Sequence, residues 1–545
     1  MKDTEFSLDL AIAFGVTALG VALAWFLAGG LPLIGIDDAA ITRSYSENIA
    51  AGAGYVYNVG GERVEGSTTL LWALTIAGLY LLTPAPEGLI VAACALLTLC
   101  AVFCALRTVR HLADGARGNG TVAVLTVAAV LLASPGYFLW TVWTMMEVAI
   151  WSALIAWLVL ILVRATRGGK AAAPVATVPV LVAAALLPVA RPEGVAVAIG
   201  LLGLGVLLAP RSRGRLVVAL VLAAGVFVAV TAWRVVYFGQ PFPNTFYAKV
   251  STDRIQDLTD GAKYTLGFLL GSPFAGLSMV AWLVGVVWIV ARWSRDRGTD
   301  LSLLIPAAAI LGFLAVYTAL GGDHFALGRF FQPIQPILPI AAAVGIAIAL
   351  PRAAPLGGRL SVPSLAGVGG LVLLGWPHYY QARFDVRKEF VLAHQGIAFG
   401  DFLNTIAPRP AVGVGPAGGI ALTYDGRIYD LLGLNWTEMA HANPIKVGMR
   451  NHASFDKATF WNNRPDILAL FNRPCGDGAT LTLWATNDDA FDNLFEDDRF
   501  RDAFVPIRFR EGDRCWPAFA TGDWLDSTDD PSIEILDWTS VELKR

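Results

Sequence analysis

Long apolar runs recur through the first 377 residues, near 10–30, 88–106, 121–138, 147–163, 172–189, 194–209, 216–238, 273–291, 301–320, 333–350 and 360–377. These runs predict eleven membrane-spanning helices, since a helix needs roughly 20 mostly apolar residues to cross a bilayer. The first, from about Leu8 to Leu31, ends without a small-residue cleavage site, so it reads as a retained span. A twelfth stretch, Ser67 to Thr83, sits at the lower limit of length and is ambiguous. Basic residues decide it. Arg107, Arg110 and Arg117 fall in one connection, Arg164, Arg167 and Lys170 in another, and Arg211, Arg213 and Arg215, Arg292, Arg295 and Arg297, and Arg352 and Arg359 in others, always in alternate connections. The positive-inside rule makes these connections cytoplasmic. With Lys2 on the same side and Asp37 outside, the parity of crossings requires that Ser67–Thr83 does not cross. It is expected to pack at the outer interface or to re-enter among other helices, where protein shields its ends.

Composition agrees with a membrane protein: 56% of the 545 residues are hydrophobic and 15% charged. Residues 1–377 carry 23 Lys/Arg against 18 Asp/Glu, and residues 378–545 carry 17 against 25. The expected organisation is a transmembrane domain, 1–377, followed by an acidic extracytoplasmic soluble domain, 378–545. Short apolar runs between Gly/Asp/Asn turns make the latter α/β or mostly β. An acidic tail without a basic excess lacks the electrostatic footprint that nucleic acid requires. Cys94, Cys100 and Cys104 lie on one span without partners at metal-ligand spacing and read as apolar packing. Cys475 and Cys515, the two cysteines of the tail, are expected to form a disulfide in an oxidising compartment.

Eleven crossings place the polar motifs on the outer face. The first loop holds Ile36-Asp-Asp-Ala-Ala-Ile, then Gly54-Tyr-Val-Tyr-Asn, then Gly61-Glu-Arg-Val-Glu-Gly-Ser-Thr. Two adjacent carboxylates, Asp37 and Asp38, at the end of an apolar span repel each other and are partly desolvated. That suits a general base, or ligands for metal or hydroxyl groups; the simpler alternative is that they open a helix and meet its dipole. Arg191-Pro-Glu-Gly supplies Arg191 and Glu193, either a self-satisfied pair or ligands to phosphate or sugar. Pro243-Asn-Thr-Phe-Tyr-Ala-Lys supplies Asn244, Tyr247 and Lys249, either ligands or an interfacial anchor. Gly321-Gly-Asp-His-Phe-Ala-Leu-Gly-Arg gathers Asp323, His324 and Arg329 within seven residues, a mixture suited to phosphate and hydroxyl recognition. Glu147 sits at the mouth of a span, where a carboxylate is costly unless it faces a wet cavity. His111, His378, His394, His441 and His452 are scattered without a metal pattern. No nucleotide-binding glycine motif or Gly-x-Ser-x-Gly elbow occurs, so a donor substrate is expected from the membrane or the outer side.

Taken together these motifs resemble the GT-C superfamily of polyprenyl-phosphate-sugar-dependent glycosyltransferases, most closely the group that includes the actinobacterial terminal arabinofuranosyltransferase. The matching positions are Asp37, Asp38, Tyr45, Asn48, Gly52, Gly54, Tyr57, Asn58, Glu62, Val64, Glu65, Gly66 and Thr68. The similarity continues through Met146-Glu147, Arg191-Pro-Glu-Gly, Pro243-Asn-Thr-Phe-Tyr-Ala-Lys, Gly321-Gly-Asp-His and Tyr429-Asp-Leu-Leu-Gly-Leu-Asn. Ser67 and Thr69 depart from the usual Tyr and Asn, and Met145 replaces a usual Gly. The resemblance implies that Asp37 is the catalytic base, with Asp38 beside it binding the acceptor or tuning its neighbour. The expected reaction is inverting transfer of a sugar, D-arabinofuranose first, from a lipid-linked polyprenyl-phosphate donor to a glycan or glycoprotein acceptor on the outer face of the plasma membrane. Arg329, Lys249, Arg191 and His324 are expected at the donor phosphate. Glu147, Asp323, Asn244, Tyr247, Glu65 and Glu193 are expected at sugar or acceptor. A divalent metal is left open. A flippase for lipid-linked sugars is the alternative, but it would favour charges at mid-membrane and inverted repeats, and neither is visible. A scaffold whose tail binds glycan is a third reading.

Overall fold

The computed structural model describes residues 2–116, 119–167, 174–349, 362–442, 455–470, 481–484 and 490–544. Its helices are α1 (Lys2–Leu27), α2 (Asp37–Ala50), α3 (Leu70–Tyr80), α4 (Glu87–Gly115), α5 (Gly120–Leu132), α6 (Pro135–Phe138), α7 (Val148–Thr166), α8 (Thr177–Ala190), α9 (Gly194–Leu208), α10 (Arg213–Phe238), α11 (Asn244–Lys249), α12 (Arg254–Gly271), α13 (Pro273–Arg295), α14 (Leu304–Ala319), α15 (Ile340–Ala349), α16 (Val362–Leu403), α17 (Gly418–Ala421), α18 (Thr437–Ala442), α19 (Lys457–Asn462), α20 (Asp498–Ala503) and α21 (Gly522–Leu525). Among the described residues, strands occur only after residue 411: β1 (Val412–Val414), β2 (Ile428–Asp430), β3 (Ile467–Ala469), β4 (Leu481–Trp484), β5 (Phe504–Glu511), β6 (Arg514–Thr521), β7 (Ile533–Ile535) and β8 (Val541–Lys544).

Among the described residues five helices are long and apolar enough to cross a membrane: Thr4–Leu27, Glu87–Asp114, Val148–Thr166, Pro210–Phe238 and Phe274–Arg295. The expected span 121–138 is instead a bent pair, Gly120–Leu132 and Pro135–Trp143, at 72°. The break has a local cause: Pro135 lacks an N–H and disfavours a helical Ser134, which adopts φ −119° and ψ 66°. The expected span 333–350 also starts late, as a 3-10 turn over Arg329–Ile334, and becomes α-helical only at Ile340. Pro333, Pro336 and Pro339 remove three successive donors there. Helices α8, α9, α14 and α15 fall on expected spans but run 14, 15, 16 and 10 residues. Helix α3 has 11 residues, about 16 Å long, too short to cross.

The chain divides into two compact units, and neither coincides with the expected boundary at 377/378, which falls inside the continuous helix α16. The first unit comprises 1–31, 87–231 and 258–386. Helix α7 is its interior element, with 83% of its most apolar window buried, and it packs on α4, α8 and α9. Near one end of this unit Asp9 is buried between Arg107 and Arg110, which reach it at 2.7 Å and 2.5 Å.

The second unit comprises 32–86, 232–257 and 387–545, so the first loop belongs to the same compact body as the tail. Its six-stranded sheet has the order β2-β1-β3-β6-β5-β7, with β1 parallel to β2 and β3, and β6 antiparallel to β3 and β5. A two-residue hairpin joins β5 to β6, with Gly512 at φ 56° where a side chain would be strained. Strands β4 and β8 form a separate parallel pair. The core is aromatic, built on Phe460, Phe500, Phe504 and Phe519. The tail is therefore a mixed α/β body.

Candidate functional site

In the second unit, Asp37 opens α2 but does not cap it. Its N-cap is Ile36, with no side-chain bond to the first turn. The Asp37 carboxylate instead accepts N–H bonds from Gly418 at 3.0 Å and Gly419 at 2.8 Å. A Cβ on Gly418 would overlap the Asp37 carbonyl oxygen, and one on Gly419 would overlap that of Ala393, so only glycine lets these amides approach. Asp37 is 5% exposed. Burial pushes its carboxyl up to about 6; the Gly419 and Gly418 amides oppose that shift, and Asp38 and Asp430 add to it. Asp38 is half-buried.

Asp430, at the end of β2, is 1% exposed. It accepts from Leu432 N at 3.0 Å and from Asn435 N and Nδ2 at 2.8 Å each. Burial again dominates and pushes it up to about 6, against these hydrogen bonds. Asn435 Oδ1 in turn lies 3.1 Å from the Tyr45 hydroxyl, which also accepts the Gly66 N–H at 3.0 Å. A side chain on Gly66 would overlap Asn435. Asn58 pairs with the backbone of Ile428 through both its amide atoms at 3.0 Å, and Tyr57 donates to the Ala417 carbonyl at 2.5 Å. The first-loop motif and the Tyr429-to-Asn435 motif are thus two halves of one joint.

Several expected ligands are committed to this joint. Glu65 receives two bonds from Arg234, at 2.7 Å and 2.9 Å, with both side chains about 2% exposed. Its carboxylate is not presented to a ligand. Asn244 bonds the Glu65 carbonyl through its backbone N–H and the Gly433 and Leu434 carbonyls through Nδ2. Tyr247 stacks on His441 with ring centroids 4.2 Å apart. Lys249, half-buried at the end of α11, has no ion-pair or hydrogen-bond partner among the described residues.

In the first unit Glu147, Arg191 and Glu193 come together. Arg191 donates to Glu147 through Nη1 and to Glu193 through Nε at 2.5 Å, and Tyr317 donates to Glu193 at 2.7 Å. Two carboxylates on one guanidinium leave this cluster net negative, which does not suit a phosphate. Asp323 and Arg329 form a second pair at 2.7 Å, with the His324 N–H bonded to Asp323 at 3.0 Å. The Arg329 guanidinium lies 4.2 Å from the Phe325 ring and 4.8 Å from that of Phe330, and Arg191 lies 5.3 Å from the same Phe330. Two residues before Glu147, Met145 adopts φ 59°, in the left-handed region that favours glycine.

Sequence reasoning did not single out Arg234, Gly418, Gly419, Tyr317 or Phe330. Arg234 had a signal, a lone charge inside an apolar span. For the metal left open, no group of three His, Cys, Asp or Glu side chains among the described residues is arranged to hold an ion. Cys515 is disulfide-bonded, and its expected partner Cys475 lies outside the described residues.

No family model matches the chain, and no curated protein matches it. Among solved structures it is similar to ArnT from Cupriavidus metallidurans bound to undecaprenyl phosphate, with TM-score 0.52 and 15% identity over 85% of this chain and 92% of that one. It also aligns with the archaeal oligosaccharyltransferase AglB from Archaeoglobus fulgidus, in complex with an inhibitory peptide and a dolichol-phosphate, at TM-score 0.47 and 11% identity over 97% of this chain and 75% of that one. At these identities the likeness is one of fold alone, and it rests on ArnT: a largely helical chain with strands in its C-terminal part.

Proposed function

We propose that the protein is a membrane glycosyltransferase that moves a sugar, D-arabinofuranose first, from a polyprenyl-phosphate donor to a hydroxyl of a cell-envelope glycan or glycoprotein. The observation that carries this reading is Asp37, a buried carboxyl held by two amides with its proton affinity raised to about 6. Such a group is ionised at neutral pH yet basic enough to accept a proton, as general-base catalysis needs. Asp37 takes the acceptor hydroxyl's proton as that oxygen bonds to the anomeric carbon. The carbon–oxygen bond to phosphate breaks, and the polyprenyl phosphate leaves with the electron pair. Attack opposite the leaving group inverts the anomeric centre. Asp38, half-buried beside it, orients the acceptor. Lys249 is the preferred phosphate ligand because no carboxylate neutralises it among the described residues. Arg329, with His324 and Asp323, is retained as a phosphate and hydroxyl cluster in its own unit.

The undecaprenyl phosphate named for ArnT, whose fold this chain resembles, supports a lipid-phosphate donor. The alternation of basic connections supports eleven crossings, with Asp37 and the C-terminal body on the outer face of the plasma membrane, as part of this proposal. The test is incubation of purified protein with polyprenyl-phospho-sugars and a synthetic glycan acceptor, read by mass spectrometry. A product heavier by one pentose supports the reading, and no transfer from any donor overturns it.

A further inference from the structure

The C-terminal body contributes more to this chain than an accessory module would. Asp37 and its clamp are 381 and 382 residues apart in sequence, and both belong to the second unit. The segment from Ala417 to Gly419 is fixed from two directions. Tyr57 holds the Ala417 carbonyl at 2.5 Å, and Gly419 lies so close to the Ala393 carbonyl of α16 that no Cβ fits. Gly396, also on α16, has its Cβ position 2.7 Å from the Ile420 nitrogen, so the helix and this turn are in backbone contact. Three glycines in this contact, at 396, 418 and 419, bring two N–H groups to one carboxylate.

We infer that Gly418 and Gly419 are positioning residues for the reaction, acting through Asp37: their amides hold its carboxylate in a fixed orientation and favour its ionised form. The inference rests on the reading of Asp37 as the base, but the clamp itself is a property of the folded chain and can be tested without turnover. Donation of two N–H groups to a carboxylate favours the charged form, and their loss leaves burial and the neighbouring Asp38 and Asp430 unopposed. Asp38, Asp430 and the hydroxyls of Tyr45 and Tyr57 are the other titratable groups that face this region. A clamp that opens therefore gives a base that is both misplaced and protonated at higher pH. This makes the tail a condition for catalysis, because the first loop contains no equivalent donors to Asp37 among the described residues.

The experiment uses full-length protein in detergent and two readouts. The first is labelling by dicyclohexylcarbodiimide, which adds to protonated buried carboxyls, followed across pH by mass spectrometry of the peptide that contains Asp37. The second is the pH dependence of kcat. In Gly418→Ala the labelling midpoint of Asp37 should rise by roughly one unit, the ascending limb of kcat should move with it, and KM for the donor should hold. Tyr57→Phe removes only the hydroxyl that holds Ala417 and should move the midpoint in the same direction by less; it decides the matter if Gly418→Ala does not fold. An unchanged midpoint in a folded variant overturns the inference. A midpoint that moves in a protein showing no transfer upholds the clamp and overturns the transferase reading instead.

Discussion

Glu65 and Arg234 meet through two parallel charge-assisted hydrogen bonds, Nε to Oε2 at 2.7 Å and Nη2 to Oε1 at 2.9 Å, in a place almost closed to water. The first loop and the C-terminal end of α10 are tied at this point. Removing one partner leaves the other charge buried and unpaired, so Arg234→Ala should destabilise the second unit by about 3–5 kcal/mol. Replacing both with apolar residues of similar volume should cost much less. Thermal unfolding in detergent of the two single variants and the double variant measures this; a loss in the double variant equal to the sum of the two single losses would show that the pair is not coupled.

Asp37→Asn should reduce transfer by about 10²–10⁴-fold, because an amide keeps the size of the side chain but cannot take a proton. In the unaltered protein kcat should fall as pH drops through about 6, where Asp37 becomes protonated, and level off above it. The sign is fixed: the base works ionised, and its affinity for a proton is raised, so the limb lies above the ordinary carboxylate value of 3.8. Full turnover at pH 5, or near-normal turnover in Asp37→Asn, would transfer the role to Asp38, Glu147 or Asp323.

Lys249 and Arg191 should behave in opposite ways. Lys249→Ala deletes a charge with no partner among the described residues, so stability should hold while affinity for undecaprenyl phosphate drops by about tenfold or more, as for loss of a hydrogen bond to a charged group. Arg191→Ala abandons Glu147 and Glu193, two buried carboxylates, and should lower the unfolding temperature whether or not lipid is present. Native mass spectrometry with undecaprenyl phosphate, beside thermal unfolding, separates the two effects.

Cys475 and Cys515 should be found as one disulfide-linked peptide pair in non-reduced digests, consistent with an oxidising compartment for the tail. A reporter fused after Arg545 should likewise score extracytoplasmic. Free alkylation of Cys475 in unreduced protein, or a cytoplasmic reporter, would contradict the side assigned to this body.

Apolar periodicity revealed where the helices lie, because burial in lipid or in a bundle leaves the same long runs. It could not show that Ser134-Pro135 breaks one of them by 72°, or that three prolines delay another until Ile340, although the prolines were in plain view. The side-chain clusters were legible as far as residue types go. Glu147, Arg191 and Glu193 do meet, and so do Asp323, His324 and Arg329. Partners contributed by backbone were not legible. Nothing in Gly418-Gly419 distinguishes two amides aimed at a carboxylate from an ordinary turn, and Glu65 reads as a ligand until Arg234, 169 residues away, is found against it. Asp430 was visible within a motif, yet its burial depends on a sheet that forms only with strands from far along the chain.

The separation of 381 residues between Asp37 and Gly418 also bears on how the protein is made. A chain emerging at the usual pace of about 5–20 residues per second exposes its first loop well before the clamp exists. Through that interval the first loop lacks the two amides that hold Asp37, and a chain cut short before residue 418 never acquires them. On the function proposed above, termination before residue 418 gives a chain without its clamp and without transfer, so the last quarter of the sequence makes activity report that synthesis was completed.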